Sequence, residues 1–135
     1  MKLYAFRLKE GQDLRQEIQR FADKNNIQAG FVITCVAGLQ KAVLRIAGAT
    51  PDNQVINTYD EKLEVVSLVG TVSVNGSHLH ISVSNKNGKV IGGHLKDGSI
   101  VAYTAEIVIG EDPNTVFTRE LDKETEFEEL VVTKK

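Results

Sequence analysis

An α/β fold of the α+β kind, mainly antiparallel sheet with one helix from the first half of the chain packed on it, is predicted by three observations. From Gly30 onward the apolar residues fall in short β-branched runs, without helical spacing. Asn75-Gly76, Asn87-Gly88 and Asp97-Gly98 separate the later runs at hairpin distances. Only Leu14 to Ala22 carries apolar residues on a helical stripe.

Lys2 to Leu8 places Tyr4, Phe6 and Leu8 on one face at period two, so it reads as a strand. In the helix that follows, Asp13 is the expected N-cap, with Gln16 three residues later. Leu14, Ile18, Phe21 and Ala22 form its buried stripe, and Lys24-Asn25-Asn26 supplies a cationic last turn and a stop. A stripe this narrow suits a helix lying on a sheet. The expected strands are Phe31 to Val36, Ala42 to Ile46, Gln54 to Tyr59, Leu63 to Val74, His78 to Val83, Lys89 to Ile91 and Ile100 to Ile109. A type I′ turn at Asn75-Gly76 and a second hairpin turn at Asn87-Gly88 would make Leu63 to Ile91 an antiparallel meander. Both prolines, Pro51 and Pro113, lie beside polar residues where connections are expected. Glu120 to Lys135 interleaves Leu121, Phe127, Leu130 and Val131 with its charges, which favours a strand face or packed terminal arm over a free acidic tail.

The 135 residues, 41% apolar and 25% charged, suit one domain spanning 1–135. Eighteen acidic against sixteen basic side chains give a net charge of -2, so no overall positive field is available to hold nucleic-acid phosphates. No stretch approaches the roughly 18 apolar residues of a membrane span, and the amino terminus has no apolar signal core. A cytoplasmic protein is expected. The single cysteine, Cys35, sits in the apolar run Phe31-Val32-Ile33-Thr34-Cys35-Val36 and reads as a buried free thiol.

The only three histidines are His78, His80 and His94. Alternation in Ser77-His78-Leu79-His80-Ile81-Ser82-Val83 sends Leu79, Ile81 and Val83 to one face and His78, His80 and Ser82 to the other. Two imidazoles in parallel, about 6 to 7 Å apart by strand rise, can lean onto one ion at about 2.0–2.1 Å. The Asn87-Gly88 turn folds the next strand back, bringing Gly92-Gly93-His94 alongside, and the two glycines permit a bulge or a close backbone approach that re-aims His94. Histidines on a solvent-facing sheet would show the same alternation. Three of them on turn-linked segments, with none elsewhere, favour a divalent metal, zinc first, with a fourth position open to water.

Glu64, Ser67, Ser82 and Glu106 are polar residues within otherwise apolar strands. Glu64 is the candidate catalytic base, though an exposed strand face explains it as well. Arg45 could bind an anion or a partner carboxylate, or face water. No phosphate loop, acidic calcium loop or nucleophile–base pattern is present.

The chain resembles the plant and prokaryote conserved domain family, found also in plant proteins with AT-hook motifs. Leu63 to Thr71, His78-Leu79-His80-Ile81-Ser82, Gly88 to Leu95 and Phe117 to Asp122 carry the resemblance. It implies an antiparallel sheet flanked by helix, a homotrimer, and a zinc site on His78, His80 and His94. It also implies a self-associating module with a regulatory or DNA-associated role. Direct DNA contact in the plant branch comes from the appended hook, and this sequence has no Arg-Gly-Arg-Pro hook. Three ligands with an open fourth position also suit a metal-dependent hydrolase or lyase acting on a small polar substrate.

Overall fold

The computed structural model describes residues 1–135. Nine strands and one helix follow in the order β1 (Lys2–Lys9), α1 (Leu14–Lys24), β2 (Ala29–Arg45), β3 (Ile56–Tyr59), β4 (Leu63–Ser73), β5 (Gly76–Ser84), β6 (Val90–Leu95), β7 (Ile100–Glu111), β8 (Thr115–Leu121) and β9 (Glu128–Lys134). Seven strands form one sheet in the order β1-β7-β2-β4-β5-β6, with β3 on β2, and β8-β9 form a separate hairpin. Every pairing is antiparallel. No helix is long and apolar enough to cross a membrane.

The helix obeys its caps. Asp13 Oδ1 accepts from the Gln16 amide at 3.0 Å, while its Oδ2 accepts from the Gly98 amide at 2.7 Å, tying the helix start to the β6–β7 turn. At the other end Asn26 takes φ 53°, and the Ile27 and Asn26 amides donate to the Ala22 and Asp23 carbonyls at 2.9 and 3.1 Å. These two bonds close a Schellman motif. Leu14, Ile18 and Ala22 face the sheet fully buried, and Phe21 stacks on Phe6 of β1 with ring centroids 3.8 Å apart.

The stretches expected as separate strands at Phe31 to Val36 and Ala42 to Ile46 are one strand of 17 residues, β2. Gly38 makes this continuity feasible. A Cβ there would lie 2.8 Å from the Ala102 carbonyl oxygen, and the pairing with β7 shifts register between Ala37 and Gly38 and again between Leu39 and Lys41. These bulges bend a strand of about 55 Å contour so that its two halves serve different neighbours. The first half pairs with β4, and Leu44 and Arg45 pair with Leu95 and His94 of β6. The run β2–β4–β5–β6 thereby returns to β2. One core fills the enclosed space, with Leu39, Leu44, Leu79, Val83, Leu95 and Ile109 among its fully buried members.

The β4–β5 turn falls one residue earlier than Asn75-Gly76. Ser73 pairs with Gly76, leaving Val74 and Asn75 as the loop. Neither residue has positive φ, so this is not a type I′ turn. Its geometry is set from outside the hairpin. The Asn75 side-chain amide donates to the Arg119 carbonyl at 2.9 Å, its oxygen accepts from the Arg119 amide at 2.8 Å, and the Val74 amide donates to the Phe117 carbonyl at 3.0 Å. The Asn75 side chain thus pairs with β8 as a strand residue would. At the second expected turn Gly88 has φ 76°, and Asn85 Oδ1 accepts from the Asn87 and Lys89 amides. β6 then extends through His94, past the expected end at Ile91.

Candidate metal centre

Alternation along β5 buries Leu79, Ile81 and Val83 and turns His78 and His80 to the outer face. His94 lies opposite His80 in the unbroken β5–β6 register. Close backbone approach, not a bulge, explains the paired glycines. A Cβ on Gly92 would sit 2.6 Å from the Ile81 carbonyl oxygen, and one on Gly93 2.6 Å from that of Arg45. Only glycines let β6 run this tightly between β5 and the end of β2.

The three rings gather with centroids 5.0 Å (His78–His80), 4.9 Å (His78–His94) and 5.7 Å (His80–His94) apart. Their candidate ligand atoms all lie within 4.8 Å of one another, and the Nε2 atoms of His78 and His80 are 3.2 Å apart. Tetrahedral coordination at about 2.0–2.1 Å holds ligand nitrogens roughly 3.3 Å from each other. One pair already has that spacing, and the third ring is within reach of it by side-chain rotation. Three imidazoles in this geometry fit zinc or a neighbouring transition metal and leave a fourth position open.

Burial and cationic neighbours keep two of the imidazoles neutral, the form that ligates metal. Burial, then the Arg45 guanidinium, push His94 down to about 3. Burial, then Arg119, lower His78 as well. The arginines also define tautomers. Arg119 NH2 lies 3.3 Å from His78 Nδ1, and Arg45 NH2 lies 3.4 Å from His94 Nδ1. A guanidinium only donates, so both Nδ1 atoms accept and both Nε2 atoms of the neutral rings carry the proton. His78 Nε2–H then donates to His80 Nε2.

Two clefts flank the rings. One of about 310 Å3 is bounded by His78, His80, Arg119, Glu129 and Leu130. The other, of about 490 Å3, is bounded by Arg45, Gly48, Ser82, Gly93 and His94. Arg45 and Ser82 are therefore brought to the histidines. Glu64 lies opposite Ser84, whereas His80 lies opposite Val69, five positions along β4 and about 16 Å away by strand rise. Glu64 instead lines a cleft of about 780 Å3 with Lys62, Lys86 and Tyr103. Ser67 pairs with Ser82, and Glu106 is exposed on β7, where its Oε2 accepts from Thr104 at 3.5 Å. Sequence reasoning missed Arg119, Phe127 and Glu129. They arrive through the β8–β9 hairpin, whose first strand was signalled only by the β-prone run Thr115-Val116-Phe117-Thr118.

An antiparallel sheet folded back on itself, with three histidines gathered on its outer face, defines a small β-rich domain with a candidate transition-metal centre. The chain belongs to the Plants and Prokaryotes Conserved (PCC) domain family, whose family model matches residues 1–113. It is 41% identical over 130 residues to the bifunctional protein GlmU of a Synechococcus strain, covering 96% of this chain and 20% of that protein. The chain thus spans about a fifth of the length of the curated relatives it matches. A hypothetical protein from Salmonella cholerae-suis has the same fold, with TM-score 0.92 and 33% identity over 98% of this chain and 94% of that one. A metal-containing protein from Archaeoglobus fulgidus superimposes with TM-score 0.81 and 27% identity, over 97% and 94% of the two chains. A Bacteroides thetaiotaomicron protein whose description suggests DNA binding matches with TM-score 0.85 over 96% and 91%. At 20% identity that likeness speaks to the fold alone.

Proposed function

We propose that this chain is a zinc-binding, self-associating module, with His78, His80 and His94 as the metal ligands and a regulatory or DNA-associated role. The observation that carries the reading is the convergence of three imidazoles, two of them with Nε2 atoms 3.2 Å apart, on one outer face. The metal-containing relative from Archaeoglobus fulgidus lends support. Self-association, with a homotrimer as the expected state, is supported by apolar side chains left exposed on the outer face of β2 and β4: Ile33, Val36, Val66 and Val69. The free, buried Cys35 fits a reducing compartment such as the cytoplasm. The net charge of -2 disfavours direct contact with DNA, so a DNA-associated role would run through a protein partner.

Tag-free protein purified without chelator is expected to carry about one zinc per chain by elemental analysis. His94→Ala should lose about 100-fold or more in zinc affinity, since even supporting residues around a metal cost 10–100-fold. Wild-type protein that neither carries zinc nor takes it up would refute the reading.

The cleft of about 490 Å3 opening beside His94 favours a second reading, a metal-dependent hydrolase or lyase for a small polar substrate. The metal would act as a Lewis acid or lower the pKa of bound water. This chain's residues would orient the substrate: Ser82 and Arg45 from the cleft walls, with Glu64 as the general base only if a second copy brings it near. Turnover in a substrate screen that is indifferent to His94→Ala would exclude this mechanism.

A further inference from the structure

We propose that Arg45 anchors a small oxyanion, a carboxylate or phosphate group, in the cleft beside His94, where the anion takes the open position of the metal. The inference rests on the metal reading above and names the class of ligand that centre accepts.

Arg45 closes β2 directly opposite His94. Its guanidinium lies 5.3 Å from the centroid of the Phe127 ring, a cation–π contact that uses none of its hydrogen-bond donors. Its contact with His94 Nδ1 is long, 3.4 Å, and engages one of five N–H donors. No carboxylate lies within ion-pair distance of it. The chain's ion pairs are Arg15–Asp97, Arg20–Glu17 and Arg119–Glu129. The second arginine near the histidines differs on this point. Arg119 NH2 donates to the Glu128 carbonyl at 2.7 Å and lies 3.8 Å from Glu129 Oε1, so its charge is already answered. Arg45 therefore presents an unspent, planar set of donors, the arrangement that grips carboxylate and phosphate oxygens in pairs.

The cleft suits a small anion. Its walls, besides Arg45 and His94, include Ser82 and the small residues Gly48, Ala49 and Gly92, and no acidic side chain lines it. Its volume of about 490 Å3 admits a molecule of metabolite size. Metal and anion should also assist each other. A ring that ligates metal through Nε2 must carry its proton on Nδ1, where it can no longer accept from a guanidinium. With a metal held through His94 Nε2, the contact between Arg45 and Nδ1 would be lost and its donor freed for a ligand in the cleft. Binding of the two is then positively coupled and reciprocal.

Cobalt(II) in place of zinc makes the centre visible by its ligand-field absorption. Cobalt-loaded wild-type protein, titrated separately with acetate and with inorganic phosphate in non-coordinating buffer, should show a saturable spectral change. A change with acetate alone assigns the site to carboxylates, and one with phosphate alone to phosphate groups. Arg45→Gln should take up cobalt at least as tightly as wild type, since the cation held against His94 is gone, yet lose about tenfold or more in anion affinity, with Arg45→Lys recovering part of it. Anion affinity unchanged in Arg45→Gln, or no response of the loaded wild type to either anion, overturns the proposal while leaving the metal centre standing. Failure of the wild type to take up cobalt or zinc overturns both.

Discussion

The residue that departs most from its ordinary chemistry is His94. Its folded-state pKa, held near 3 by burial and by Arg45, lies below the roughly 6.5 of an unfolded histidine. Below pH 6.5 the unfolded chain therefore binds the proton more readily, and the contribution of His94 to stability, present above 6.5, is lost as pH falls toward 3. Metal-free wild type should thus lose stability between pH 7 and 5 more steeply than His94→Gln. The difference should be about 1 kcal/mol after discounting for the solvent that screens a half-buried ring. Urea denaturation of both proteins at the two pH values measures it, and parallel losses would show that the ring titrates normally. Cys35 gives a second expectation. Burial pushes its thiol up to about 11, so the nucleophilic thiolate is scarce at pH 8. Native protein should resist alkylation by iodoacetamide at that pH over hours and react within minutes in about 6 M guanidinium, enough to unfold most small domains. Rapid labelling of the native state would place the thiol at the surface.

At the scale of elements, the β4–β5 hairpin aligns His78 with His80, and Gly70 governs how closely its strands approach. Gly70 has φ 143°, and a Cβ there would lie 2.0 Å from the His78 carbonyl oxygen. Gly70→Ala should cost about 2–4 kcal/mol, a value reflecting both backbone strain and overpacking against main chain that cannot yield. A urea midpoint equal to wild type would mean the strands can separate at no cost. Elements like this one show where sequence patterns were informative. The helix, its caps and the inward face of β5 were legible because each depends on neighbours in sequence: Asp13 with Gln16, Leu79 with Ile81 and Val83. The unity of β2 was not, because its continuity through Gly38 depends on the Ala102 carbonyl, some sixty positions away. The β4–β5 turn was placed one residue late for the same reason, since Asn75 answers to Arg119 and not to its own hairpin. At the candidate metal centre, alternation and the Asn87-Gly88 turn sufficed to gather three histidines. The arginines that set their tautomers could not be assigned, because a cation's neighbours across a sheet leave no local pattern.

For the molecule as a whole, the sheet has an outer face that its own helix does not cover. Val36 is 62% exposed and Val66 59%, on adjacent strands, with Ile33 and Val69 about half exposed nearby. Scattered apolar residues on a surface need no explanation, but four branched side chains on two paired strands form a patch. If copies of the chain meet there, a charge on each side of the seam should separate them, because an unpaired carboxylate buried in an apolar contact is strongly disfavoured. The double variant Val36→Asp/Val66→Asp should sediment as a monomer, against the trimer expected of wild type. Both side chains point to solvent within one chain, so each subunit should keep its fold and its circular dichroism. The same pair of proteins tests how the centre is built. His78, His80 and His94 are assembled entirely by the β5–β6 ladder of a single chain, so the monomeric variant should bind zinc with affinity within about threefold of wild type. A wild type that sediments as a monomer would leave the patch without a partner copy. A monomeric variant that has lost zinc would mean that a neighbouring subunit completes the coordination, and would turn attention to the carboxylates, Glu64 among them, that a single chain keeps apart from the histidines.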